Sequence, residues 1–158
     1  MSEAANVIDY DPKSMDLRDS IAGLVGQVRM ALIAALDKEF VLDSDVAALE
    51  VTSAQYVILS HVVKRKVNSA CELCDHLDYA RGAMSRMIDR LELKGLVRRV
   101  PLAHTRRGVA LEVTPEGTAA FPKMEACAAR VVNRMLHGVT KTQVRAAEKV
   151  LRQMLANA

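Results

Sequence analysis

The chain has no Trp, three Tyr and two Phe among its 158 residues. Single-stranded nucleic acid is held by stacking its bases on aromatic platforms, so a chain this poor in rings is not built for that task. Proline (4) and glycine (7) are also scarce, and 51% of residues are hydrophobic. That composition excludes fibrous and disordered proteins and allows one domain with a real core. No apolar run approaches the roughly 18 residues that cross a bilayer. Met1-Ser2-Glu3-Ala4-Ala5-Asn6 lacks the basic-then-apolar pattern of a signal peptide. The cytoplasm is the expected location, and no membrane partner is expected.

Cysteine is sparse too. Cys71, Cys74 and Cys127 are an odd set, which makes no disulfide framework and suits a reducing compartment. Cys71-Glu72-Leu73-Cys74 is formally C-x-x-C, but no further ligand pair follows at zinc-finger spacing and no strand precedes it. The three read as small residues within helices, with an oxidation sensor as the alternative. There is no G-x-S-x-G, no phosphate-cradling glycine loop, no metal-spaced His pair and no convergent carboxylate pair. His61, His76, His104 and His137 fall on four different segments. The chain reads as a non-enzyme without cofactor or metal.

Charge is present but unevenly placed. The first fifty residues hold four basic and ten acidic residues, whereas Arg81 to Arg107 hold eight basic against only Asp89 and Glu92. The overall +3 averages two opposed regions, and the basic one marks a candidate nucleic-acid surface. Within it, Met84, Met87, Ile88 and Leu91 recur at i, i+3, i+4 and i+7, one apolar stripe of a helix. The other side offers Gly82, Ala83, Ser85, Arg86, Asp89 and Arg90. A helix anchored on one side, with small and basic residues on the other, suits the DNA major groove. A solvated surface helix would share this pattern; the sequel distinguishes them.

Gly95 stands at a helix stop, where φ > 0 is common. Leu96 to Val100 and Val109 to Val113 are β-prone runs around a turn-rich stretch, Pro101 to Gly108. They predict a hairpin with Arg106 and Arg107 near its tip, placed for phosphate or minor-groove contact. Arg98 and Arg99 alternate faces on a strand, so at most one faces DNA. Asp89 reads as a partner for a nearby arginine, because phosphates repel it.

Elsewhere the pattern is helical. Leu17, Ile21, Leu24, Val28, Leu32 and Ala35 predict a long helix from Asp16 to about Phe40, followed by a linker from Leu42 to Val51. Thr52–Gln55 and Ser69–Glu72 are capping boxes for helices ending near Lys64 and Leu77. Thr114-Pro115 opens a helix to about His137, with Gly138 beyond it. Thr140–Gln143 caps a last helix with Val144, Ala147, Val150, Leu151 and Met154 on one face. The expected divisions are a loose arm (1–15), an N-terminal helix and linker (16–50), a DNA-binding lobe (51–114) and C-terminal helices (115–158).

Leu91-Glu92-Leu93-Lys94-Gly95-Leu96-Val97-Arg98-Arg99, the Ser85-Arg86 pair upstream and the Arg106-Arg107…Thr114-Pro115-Glu116-Gly117 end of the hairpin resemble the MarR family of bacterial transcription regulators. The likeness is strongest from about Thr52 to Gly117. It implies a mainly α fold with a small β-hairpin wing: a winged helix-turn-helix homodimer whose long N- and C-terminal helices intertwine. Two recognition helices would enter successive major grooves of a pseudo-palindromic double-stranded operator, about 34–36 Å apart. The implied DNA contacts are Arg81, Gly82, Ala83, Ser85, Arg86, Arg90, Arg106 and Arg107. The family's wing usually carries an Asp two residues before its minor-groove arginine; here that position is Thr105, which leaves Arg107 less firmly oriented. Many such proteins bind small aromatic acids between the dimer helices and the DNA-binding lobe. Arg18, on the first helix, with Tyr56, His61 and His76, are the candidate effector groups, against a plain reading as satisfied interface residues. The resulting expectation is a DNA-binding regulator, a repressor in the commonest form. Its alternatives are a winged-helix protein-interaction module and a regulator switched by cysteine oxidation.

Overall fold

A computed structural model describes residues 10–101 and 109–158. Its elements are α1 (Ile21–Leu42), α2 (Ser44–Ala47), α3 (Ser53–Arg65), α4 (Ala70–Leu77), α5 (Arg81–Leu93), β1 (Val97–Pro101), β2 (Val109–Val113), α6 (Pro115–Met135) and α7 (Lys141–Asn157). The fold is mainly helical with one antiparallel hairpin, in register Val97↔Val113 and Arg99↔Leu111. The winged-helix expectation is met.

Local capping explains most boundaries. Thr52 accepts from the Gln55 amide at 3.3 Å, and Gln55 accepts from the Thr52 amide at 3.1 Å. Thr140 and Gln143 repeat that exchange at α7. Ser69 caps α4 through the Glu72 amide, but Glu72 does not reach back, so only half of that expected box forms. Thr114 accepts from the Gly117 amide at 2.9 Å and donates to the Gly95 carbonyl at 2.5 Å. One threonine therefore starts α6 and ties it to the turn after α5. Gly95 has φ +70°, as its stop position requires.

Three boundaries depart from expectation. α1 begins at Ile21, not Asp16, because the Asp16 carboxylate accepts from the Arg18 amide at 2.8 Å and holds a turn there. Ser20 then caps the helix through the Gly23 amide. The linker contains the short α2, since Asp43 accepts from the amides of Asp45 and Val46. α6 ends at Met135, two residues early, and Gly138 (φ +80°) serves the turn that follows.

The core gathers Leu36 and Phe40 of α1, Ile58 and Leu59 of α3, Leu73 of α4, Met84, Ile88 and Leu91 of α5, and Phe121, Met124 and Val131 of α6. Each such side chain contributes roughly 1.5–3 kcal/mol by leaving water. Tyr56 packs between Phe40 and Phe121, with centroids 5.8 and 5.9 Å away. Ion pairs fasten α1 to α6 at the rim of this core: Arg130 meets Glu39 at 2.7 Å and Asp43 at 2.5 Å, and Arg134 meets Glu39 at 2.9 Å.

Two apolar faces lack cover in the single chain. Leu24, Val25 and Val28 of α1 are exposed, and α7 buries no residue at all, with Val150, Leu151 and Leu155 exposed. Among the described residues, no helix is long and apolar enough to cross a membrane.

Candidate nucleic-acid interface

Helix α5 has one face in the core and one in solvent. Met84, Ile88 and Leu91 are fully buried and Met87 is half-buried, which is the predicted stripe. Arg81, Gly82, Ser85, Arg86, Asp89 and Arg90 are exposed, and Ala83 is half-buried. Anchoring through three buried side chains fixes the helix against rolling, so the exposed set keeps a constant outward direction. A Cβ added at Gly82 would meet only the end of the Arg86 side chain, at 4.0 Å, so the backbone there is open to close approach.

The basic residues divide into two groups. Lys94 donates from Nζ to the carbonyls of Leu49 and Glu50, at 2.8 and 2.6 Å. Arg98 pairs with Glu112 on the opposite strand at 2.7 Å. Arg99 turns toward α5, where its guanidinium meets Asp89 at 2.6 Å and also pairs with Glu92. Its backbone amide donates to Glu92 at 3.0 Å. The two carboxylates, Asp89 foremost, hold the guanidinium more firmly protonated than usual. Asp89 is thus an arginine partner, as its charge suggested. By contrast, Arg81, Arg86 and Arg90 form no ion pair among the described residues. Arg106 and Arg107 lie outside the described residues. Sequence reading missed Lys94, Glu92 and Arg99 as the fasteners of this surface; the i, i+7 spacing of Glu92 and Arg99 across a helix stop was the one available signal.

The proposed effector residues are not gathered. Arg18 lies in the turn before α1 rather than on the helix, a correction that follows from the Ser20 cap. Tyr56 is wedged between two rings in the core, and burial, with Glu125 adding to it, pushes its hydroxyl pKa up. His61 has Nδ1 2.9 Å from the Val57 carbonyl, and its ring lies 6.2 Å from that of His76. The histidines do form a pair, bridging α3 and α4. Of the thiols, Cys71 is exposed, Cys74 half-buried and Cys127 buried. Burial pushes the Cys127 thiol pKa up. No cluster of three or more His, Cys, Asp or Glu able to hold a metal occurs among the described residues.

Residues 49–108, which include α5 and β1, match the family model described as MarR family. Over this stretch the chain is similar to the MarR family. Multiple antibiotic resistance protein MarR of Salmonella typhimurium is 33% identical over 82 residues, 52% of this chain and 57% of that protein. The chain thus spans little more than half the length of that MarR relative. HTH-type transcriptional repressor MdtR of Bacillus subtilis is 24% identical over 134 residues, 85% of this chain and 80% of its own. Among solved structures, a cysteine-to-serine variant of MarR from E. coli complexed with operator DNA superposes with TM-score 0.71 and 25% identity. That match covers 89% of this chain and 99% of the other.

Proposed function

We propose that this chain is a MarR-family transcriptional regulator that binds a specific double-stranded DNA site as a homodimer. The observation that carries the reading is the division of α5: three side chains wholly buried, and Arg81, Ser85, Arg86 and Arg90 exposed together without ion partners among the described residues. Arg86 and Ser85 are assigned to base edges or phosphate, Arg81 and Arg90 to phosphate, and Gly82 and Ala83 to close backbone approach. Arg106 and Arg107, by resemblance, are assigned to the wing's minor-groove contact. The operator complex of the E. coli relative supports the DNA partner, and the name of the Bacillus subtilis relative supports a repressor. The uncovered apolar faces of α1 and α7 support intertwining of 16–50 and 115–158 with a second copy.

An aromatic acid effector remains part of the proposal, with His61 and His76 as its best-placed polar groups and Arg18 and Tyr56 as its weakest. Such a ligand weakens DNA binding only if it prefers one spacing of the two recognition helices. Selection of bound duplexes from a random pool tests the whole reading. A palindromic motif with half-sites about one helical turn apart is expected; no enrichment at low salt makes the chain a protein-interaction module instead.

A further inference from the structure

The C-x-x-C that the DNA-binding role leaves unused opens onto a cleft beside the recognition helix. Cys71 and Cys74 are three apart on α4, so they share one helix face. Both line a cleft of about 200 Å³ together with Ala70 and Arg81. Arg81 is the first residue of α5. Cys71 is exposed and Cys74 half-buried, whereas the third thiol, Cys127, is buried on α6.

We propose that Cys71 and Cys74 form a dithiol site for a trivalent organoarsenical, and that its capture weakens DNA binding through Arg81. The second half rests on the DNA-binding reading above.

Geometry favours a one-atom bridge over a direct disulfide. Side chains three apart on a helix have Cβ atoms about 5–6 Å apart. A disulfide needs about 3.5–4.5 Å. Closing S–S directly would distort α4, while a single soft atom between the sulfurs spans the gap. Thiolates select soft partners. A centre needing three or more protein ligands finds no such set among the described residues. Exposed Glu72 and Asp75 on the same short helix disfavour an anion, and a dihydroxyarsine is neutral. In the reaction two As–S bonds form and two As–O bonds break. Each thiol proton leaves with a hydroxyl as water, and arsenic stays trivalent, so no oxidant takes part. The organic substituent then occupies the cleft and displaces the Arg81 side chain from the groove-facing surface.

The full chain treated with phenylarsine oxide in excess glutathione should show one adduct by intact mass. The adduct should be lost in both Cys71→Ser and Cys74→Ser, since one thiol cannot outcompete glutathione. Duplex affinity, read by fluorescence anisotropy, should fall about tenfold on treatment, within the usual range of couplings between sites. An adduct that persists in either variant, or none in the parent chain, overturns the dithiol site. A full adduct with unchanged duplex affinity overturns the coupling. If the untreated chain binds no duplex, the DNA reading fails and takes the coupling with it, while the mass measurement still decides the dithiol site.

Discussion

The Arg99 guanidinium lies 2.6 Å from the Asp89 carboxylate, joining the first strand of the wing to the exposed side of the recognition helix. Glu92 completes the clamp. Because Arg99 is about a third exposed and Asp89 more so, the clamp acts mainly on geometry and little on stability. Arg99→Ala should cost at most about 1 kcal/mol in urea denaturation, yet lower duplex affinity by loosening the wing. Arg99→Lys should restore only part of that affinity, since an ammonium cannot match the planar fork. Equal affinity for all three proteins would show that the wing needs no such fastening.

Arg86→Ala should weaken specific binding by roughly 1–3 kcal/mol and relax the preference at one base position. Binding measured across a panel of single-base operator variants checks this. A loss equal across the panel would recast Arg86 as a phosphate contact.

Gly117 lets the start of α6 pack tightly against Leu96 and Val113. An added Cβ would stand 2.1 Å from the Leu96 carbonyl oxygen and 2.8 Å from Val113. Gly117→Ala should therefore destabilise the chain by about 1–3 kcal/mol, as overpacking does. Thermal denaturation reads this directly; an unchanged midpoint would mean the helix start yields freely.

Glu39 and Asp43 bind protons less readily in the folded chain than ordinary carboxyls do, chiefly because Arg130 hydrogen-bonds each, with Arg134 adding to Glu39. Stability from these pairs is complete above the ordinary values of 4.5 and 3.8, and is lost as pH falls through the lower folded values. Denaturant midpoints of the parent should therefore drop more steeply below pH 4.5 than those of Arg130→Gln. Parallel curves would rule these pairs out as a source of acid sensitivity.

Features carried by neighbouring residues were legible in the sequence. Thr52 with Gln55, Thr114 with Pro115, and Thr140 with Gln143 are local devices, and each starts the helix it signals. The α5 stripe was equally plain, because helical spacing and burial coincide at Met84, Ile88 and Leu91. Competition between local bonds was not legible: apolar periodicity carried α1 back to Leu17, while the Asp16 side chain favoured a turn. Contacts across long sequence gaps were invisible as well. Nothing near Arg130 announces Glu39, and nothing near Lys94 announces Leu49.

The Lys94 ammonium, seated on the Leu49 and Glu50 carbonyls, hangs the far end of α5 from the stretch that leads away from α1 through α2. The long N-terminal helix and α5 are consequently joined through this stretch as well as through the core. A change in the path of that stretch would therefore bear on the C-terminal end of α5, while the buried Met84, Ile88 and Leu91 keep the helix in its seat.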